Sequence, residues 1–244
     1  MDRYQDKYDI TFFVPCLNEE RNITNTLDTI VSAVSETNLK YEILIIDDNS
    51  TDGTIDQIEK YKSKYLNINI NLIKNVFTKG LGINYVDGSF YGKGKHYMLI
   101  NGDNAEPKNS ILAMIKELGN ADMIIPYFSK QDQRSVFRMY LSKLFTKIVN
   151  LVGGFKISYY NGPVLHLRYN VMRWSPDTQC FAYQAELITR ILIEGGSFHE
   201  VQISNTDRGS GETKAFSIMN ILGIIHSLLQ IFFRRLRQFL FYRR

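Results

Sequence analysis

Cysteine is almost absent from this chain: two occur in 244 residues, Cys16 and Cys180. No Cys-x-x-Cys spacing exists, which excludes a thiolate metal site, and two free thiols in a reducing cytoplasm is the expected state. Proline is scarce, with five in the chain, and neither a low-complexity linker nor an internal repeat divides the sequence. Zinc-finger, homeodomain and RNA-recognition signatures are missing. The net charge of +4 is too weak to argue for nucleic acid. The opening MDRYQDKYDI is polar and lacks the apolar run of a signal peptide. A protein in or facing the cytosol is therefore expected.

Hydrophobic residues make up 44% of the chain, enough for a sizeable core. Ile10 to Pro15 is a short apolar run ending at a proline and reads as a buried strand. Ile23, Leu27, Ile30, Val31 and Val34 follow at helical spacing, with Asn and Thr near the start as candidate caps. Glu42–Ile46 predicts a second strand, 54–65 a helix and 68–73 a third strand. The turn Lys79-Gly80-Leu81-Gly82 opens a helix. Residues 97–100 predict a fourth strand, Pro107 starts a helix running to about Leu118, and 122–126 predict a fifth strand. A long amphipathic helix spans 133–152. This alternation implies an α/β fold with a parallel sheet, whose ligands bind at the carboxyl ends of the strands.

The character changes after residue 214, which divides the chain into a domain over 1–214 and a C-terminal amphipathic helical tail over 215–244. Phe216 to Phe233 is mostly apolar, but Asn220, His226 and Gln230 interrupt it. At that length it is marginal as a membrane span. The arginines beside Leu236, Phe239, Phe241 and Tyr242 suit a helix lying in a membrane interface. Packing on the domain or on a partner subunit is the alternative, which leaves an oligomer open.

Three polar clusters each follow an apolar strand: Asn18-Glu19, Asp47-Asp48 and Asp103. In a parallel sheet they converge on one edge. Acids gathered there need a cation or hydrogen-bond donors, and a divalent metal with a nucleotide supplies both. Asp103 is the best-placed metal ligand, and Asp48 suits a base or ribose. Taken singly, each also fits a solvated turn residue or a helix cap.

With these residues in view, Val14-Pro15-Cys16-Leu17-Asn18-Glu19 and the run from Glu42 through Asp47-Asp48-Asn49-Ser50-Thr51-Asp52-Gly53-Thr54 resemble inverting GT-A glycosyltransferases of family 2. Lys79-Gly80-Leu81-Gly82, the Gln184-x-Glu186 segment, Glu200-Val201-Gln202-Ile203 and the stretch from Asp207 to Lys214 are similar to the dolichyl-phosphate mannose synthase branch. The resemblance covers about Ile10 to Lys214. It implies a Rossmann-like, mostly parallel sheet flanked by helices and a metal-dependent hexosyltransferase. Its partners would be a nucleoside-diphosphate sugar and a polyprenyl phosphate, at the cytoplasmic face of a membrane.

By the same resemblance, Pro15, Leu17, Glu19, Ile46, Asp48 and Gly102 would hold the nucleotide. Asp103, with Asn101, would bind Mg²⁺ or Mn²⁺ and the diphosphate, and Arg208 and Lys214 would reach the diphosphate from a late loop. The sequence departs from the branch where Asn101-Gly102-Asp103 replaces Asp-x-Asp, where Phe128 replaces an arginine, and where Asn161-Gly162-Pro163-Val164-Leu165 replaces Thr-Gly-Ser-Phe-Arg. Tyr159 to Gly162 is a candidate acceptor wall. Restoring a carboxylate with Asn101→Asp is expected to tighten the metal. A phosphate acceptor needs no general base, and His166, His199 and His226 sit in apolar or strand-like contexts. The alternatives are transfer to a glycan hydroxyl and a catalytically degenerate nucleotide-sugar-binding or membrane-scaffold protein.

Overall fold

The structure is a computed structural model that describes residues 6–128, 136–174, 182–204 and 218–241. Its centre is a seven-stranded sheet in the order β3-β2-β1-β4-β6-β5-β7. The strands are β1 (Tyr8–Cys16), β2 (Tyr41–Asp47), β3 (Ile70–Lys74), β4 (Gly94–Leu99), β5 (Met123–Phe128), β6 (Leu165–Leu167) and β7 (Phe198–Ile203). Pairing is parallel for β1 with β2 and β4, for β2 with β3, and for β5 with β7. Only β6, inserted between β4 and β5, runs antiparallel.

The central strands read as unbroken apolar runs because helices cover both faces of the sheet. Alternate residues therefore enter different cores. Phe12, Val14, Ile43 and Ile45 pack on one side with α1 (Ile23–Val34), α2 (Thr54–Lys64) and α4 (Lys108–Lys116). Phe13, Leu44, Ile46 and Tyr97 pack on the other with α3 (Leu81–Tyr91), α5 (Val136–Gly153) and α7 (Tyr183–Ile193). A short helix, α6 (Arg168–Met172), follows β6.

The first five strands and the helices between them lie within a few residues of their predicted limits. Two local expectations differ. Pro107 is the cap residue before α4, in extended conformation, and not the first helical residue. Asn22 precedes α1 without capping it and gives its side-chain amide to Glu19 Oε2 at 2.9 Å. The three-residue strand β6 has too few residues to show a period, and sequence patterning did not find it.

The tail forms one helix, α8 (Ile218–Phe241), which packs against α5 and α7. Ile231 is fully buried in the core shared with α5. Arg234 donates to the Glu186 carbonyl at 3.4 Å, and Gln238 donates to the Ile193 carbonyl at 3.1 Å. No described helix is long and apolar enough to cross a membrane.

Candidate active site

The ends of β1, β2 and β4 meet at the carboxyl edge of the sheet. Cys16 lies opposite Asp47, and Asp47 lies opposite Lys74. Past the strands the backbone stays paired: Asp48 N donates to Cys16 O at 2.8 Å, Asn75 N to Asp47 O at 2.9 Å, and Gly102 N to Pro15 O at 3.2 Å. The three polar clusters therefore share one surface.

Side chains tie these loops together. Glu19 N donates to Thr54 Oγ1 at 2.8 Å, Thr51 N to Asn18 Oδ1 at 2.8 Å, and Asn18 N to Ser50 Oγ at 2.9 Å. Two α1 threonines hold the third loop, Thr26 on Gly102 O at 2.9 Å and Thr29 on Asn104 Oδ1 at 3.0 Å. Each loop also contains a left-handed asparagine: Asn18, Asn49 and Asn104, with φ of 60°, 72° and 55°. Among the described residues these are the only non-glycine positions with positive φ. Backbone strain of this kind, stored in three adjacent loops, is characteristic of ligand sites.

Asp47 and Asp48 do different work. Asp47 is buried and accepts from Ser50 N at 3.0 Å, closing the turn after β2. Asp48 accepts from Asn75 Nδ2, Lys79 N and Gly80 N, each at 2.9 Å. Burial alone would raise its carboxyl, but hydrogen bonds from Asn84, Lys79, Asn75 and Gly80 outweigh that and hold it below the usual carboxylate range. Asp48 thus clamps the Lys79-Gly80 turn. Gly80 sits at φ 88°, ψ 160°, a region that essentially only glycine occupies. The Lys79 ammonium pairs with Asp87 at 2.7 Å, which raises its pKa. Asn75 and Asn84 were not singled out in the sequence. The signal was there for Asn75, a polar residue directly after a strand, whereas Asn84 is inside a helix and buried.

The loop after β4 carries Asn101, Gly102 and Asp103. Gly102 is packed so closely on β1 that an added Cβ would stand 3.0 Å from Pro15 O and 3.2 Å from Cys16 Cβ. Asp103 is half-buried, with Oδ1 accepting from Ala105 N at 3.2 Å. Asn101 Nδ2 donates to Oε1 of the buried Glu106 at 2.9 Å. Glu106 accepts, so the amide nitrogen must face it, and the carbonyl oxygen is the end a cation would meet. No trio of acidic, histidine or cysteine side chains able to hold a metal occurs among the described residues. One carboxylate and one amide oxygen nevertheless fit Mg²⁺ or Mn²⁺, which commonly takes one or two protein oxygens and completes its shell with substrate phosphates and water.

The remaining predicted positions divide. Leu17 is exposed, and Pro15 and Glu19 are half-buried on the same rim. Ile46 is 1% exposed and belongs to the core beneath the site, so its side chain is not part of the surface. Arg208, Lys214 and Cys180 lie outside the described residues. Cys16 is buried, and burial with the neighbouring Asp47 pushes its thiol far up, leaving it inert.

At the end of β5, Phe128 meets Tyr159 edge-on at 4.9 Å. Gly162 abuts Pro126, and its carbonyl accepts from Gln184 Nε2 at 3.4 Å. Residues 159–162 thus form a wall between β5 and α7. His166 is fully buried behind it, and burial lowers its pKa to about 4, so it is neutral and structural.

Fold and site define an α/β protein whose loops after β1, β2 and β4 share one surface at the carboxyl edge of a largely parallel sheet. The chain belongs to glycosyl transferase family 2, whose family pattern matches residues 11–175. It is 22% identical over 222 residues to an undecaprenyl-phosphate 4-deoxy-4-formamido-L-arabinose transferase of Shewanella sediminis, covering 90% of this chain and 65% of that protein. A dolichyl-phosphate beta-glucosyltransferase of Dictyostelium discoideum is 30% identical over 105 residues, 41% of this chain and 32% of that protein. The chain thus spans about two thirds of the length of the first relative. Among solved structures, glucosyl-3-phosphoglycerate synthase from Mycobacterium tuberculosis in complex with Mg²⁺ and UDP superposes with a TM-score of 0.69. It is 14% identical, covering 92% of this chain and 79% of that one. The architecture is therefore the GT-A fold that the sequence resemblance implied.

Proposed function

We propose that the chain transfers a sugar from a nucleoside-diphosphate sugar to a polyprenyl phosphate, with inversion. The supporting observation is the strained three-loop surface, where the Asp48-clamped turn and the loop of Asn101 and Asp103 flank the end of β1 on either side. The relatives named above as undecaprenyl- and dolichyl-phosphate transferases favour a lipid phosphate as acceptor. In the reaction, an acceptor phosphate oxygen attacks the anomeric carbon. The bond from that carbon to the diphosphate breaks, and the nucleoside diphosphate leaves.

In this reading the loops after β1 and β2 bind the nucleotide through Pro15, Leu17, Glu19 and the turn held by Asp48. Asp103 and Asn101 Oδ1 would hold Mg²⁺ or Mn²⁺ against the diphosphate. When bound, such a cation stabilises the charge of the leaving group. Arg208 and Lys214 would add to that stabilisation, the arginine as a planar fork and the lysine as a point charge. The acceptor phosphate is ionised at neutral pH and needs no base, in keeping with the neutral, enclosed His166. Residues 215–244 would attach the domain to the cytoplasmic face of a membrane.

A donor screen against membrane lipid extract, followed by mass analysis of the product, tests the reading. A sugar on a polyprenyl phosphate is expected. Transfer only to a glycan hydroxyl would replace the acceptor, and binding of donor without any transfer would mark a degenerate protein.

A further inference from the structure

The loop from Asn75 to Gly80, between β3 and α3, is tied down at both ends by the strand-end aspartates of β2. At its start, Asn75 N donates to Asp47 O and Asn75 Nδ2 to Asp48 Oδ1, each at 2.9 Å. At its end, Thr78 Oγ1 donates to Asp48 O at 3.1 Å, while Lys79 N and Gly80 N donate to the two Asp48 carboxylate oxygens, each at 2.9 Å. Between these ties stand Val76 and Phe77, which are 88% and 61% exposed.

Single exposed apolar residues are ordinary on a protein surface. Phe77 differs in how it is held and where. The bonds that order the Asp48 clamp also fix both ends of this short loop, so they hold the ring out in water at the carboxyl edge of the sheet. It stands there alone in kind. The loops after β1, β2 and β4 contain no aromatic residue, which leaves Phe77 as the one aromatic side chain in the loops that follow the first four strands.

The sheet order sets what fits beside it. Strands β1 and β3 lie on either side of β2, two strand spacings or about 9–10 Å apart. Leu17, also exposed, follows β1, and Phe77 follows β3, so the two flank the Asp48 loop. A flat ring lying between two side chains needs about 3.5–4 Å on each face, roughly 7–8 Å in all. The gap therefore takes one planar ring and not two. The loops that bound it on the β1 and β2 side carry two of the left-handed asparagines, Asn18 and Asn49.

We propose that Phe77 is the stacking surface for the nucleobase of the donor, with Leu17 against the other face of the base. The proposal deepens the proposed function and rests on its nucleoside-diphosphate donor. Every base has a π-face whatever its edge carries, so an aromatic ring adds affinity without choosing among bases. A purine overlaps the ring over a larger area than a pyrimidine and gains more. The Asp48 clamp gives the ring its place: the carboxylate fixes the loop, and the loop presents Phe77. Binding of the base then covers a ring that the free protein leaves in water.

The full chain is titrated calorimetrically, with Mg²⁺ present, with UDP, GDP, ADP, CDP and inorganic pyrophosphate, and its thermal unfolding is recorded. Phe77→Ala should weaken the nucleotides that bind about tenfold, purines the more. Pyrophosphate, which has no base, should bind as before, and Tm should stay within about 2 °C because the ring is exposed. Phe77→Trp should restore affinity. Trp174, the chain's one tryptophan, is buried, so the added emission is read as the difference from wild type, and nucleotides but not pyrophosphate should quench it. Leu66→Ala, a similar change at an exposed residue after α2, should alter none of these. Sugar transfer is assayed on the same proteins. The expected binding pattern in a protein that transfers no sugar supports the stack and counts against transfer alone. Nucleotide binding that ignores Phe77→Ala overturns the stack and leaves the donor class standing. Equal losses for nucleotide and pyrophosphate, the mark of a disturbed Asp48 clamp, or a wild type that binds none of the nucleotides, overturn it as well.

Discussion

Asn101→Asp restores the second acid that the resemblance leads one to expect, and the structure predicts that it harms the protein. Asn101 Nδ2 stands 2.9 Å from Oε1 of Glu106, which is 8% exposed. The substitution replaces a donor with a second carboxylate at about the same separation. Two unit charges about 3 Å apart at an effective dielectric constant of about 20 repel by roughly 5–6 kcal/mol. The pair escapes the full penalty by keeping one proton, which at pH 7 costs about 4 kcal/mol for a carboxyl of ordinary pKa near 4. Rotation of the half-exposed side chain at 101 lowers the cost further, so the loss is expected at about 2–4 kcal/mol. For a chain of this size that is a fall in Tm of roughly 5–15 °C. Glu106→Gln alone should cost less than about 1 kcal/mol, since its oxygen still accepts from Asn101. The double variant Asn101→Asp with Glu106→Gln reverses the direction of the hydrogen bond and should return to within about 1 kcal/mol of wild type. Thermal unfolding of all four proteins without metal closes the cycle. Equal stability of Asn101→Asp and wild type, or no rescue by Glu106→Gln, would refute the argument.

Other consequences follow from the same geometry. Asp48→Asn faces two backbone N–H groups with an amide and should lose about 2–3 kcal/mol and weaken donor binding, measured by urea unfolding and calorimetric titration. Because the Asp48 carboxyl is held below its ordinary value, its contribution is present above about pH 4 and is lost as pH falls through the lower folded value, so the variant should show a flatter acid limb. Gly80→Ala places a Cβ in a glycine-only region and should cost about 1–3 kcal/mol, with donor affinity falling alongside stability. Asp103→Ala removes the one charged ligand proposed for the metal in its loop. Transfer should vanish while the fold survives, and excess chelator should have the same effect on wild type; full activity in chelator would remove the metal from the mechanism.

The sheet was legible because a strand buried on both faces must be apolar throughout, and the runs at Ile10, Glu42 and Met123 allow few other readings. The order of the strands was less so: β6 is three residues long, and its antiparallel insertion between β4 and β5 is set by tertiary packing. The site was legible as a list of strand ends. Its wiring was not, because Asp48 reaches Lys79 and Gly80 across more than thirty residues, and sequence alone reads a strand-end aspartate as an acceptor for ligand. Asn101 shows the same limit in sharper form. Compared with a motif, it is a lost carboxylate; compared with its neighbour, it is a hydrogen-bond donor to the buried Glu106.

The tail was read as amphipathic from its composition, but composition does not say which face meets the domain. Apolar periodicity in α5 and α8 has two solutions: the stripe faces the core, or it faces outward with another face buried. Sequence reasoning read α5 as amphipathic and assigned neither face to the core. The outcome is decided by partners that periodicity does not contain. Arg234 and Gln238 find backbone carbonyls on α7, at Glu186 and Ile193. The Gln238 bond satisfies the Ile193 carbonyl in the last turn of α7, where intrahelical partners run out, whereas Arg234 adds a donor to the Glu186 carbonyl in the first turn, which also accepts from Thr189 Oγ1. Once those bonds set the rotation of α8, Leu228 packs beside Ile231 on the core, while Leu222, Leu229, Leu236 and Leu240 face away from it, and only an apolar surround removes them from water. Moving that contact should therefore move the helix. Arg234→Leu with Gln238→Leu makes the inward face apolar, removes the two bonds and leaves the outward stripe untouched. If the polar inward contacts set the rotation, the variant loses register on α7, exposes Ile231 and unfolds at lower temperature despite its added hydrophobicity. If it is instead more stable than wild type, with Ile231 still protected in hydrogen exchange, core packing alone orients α8.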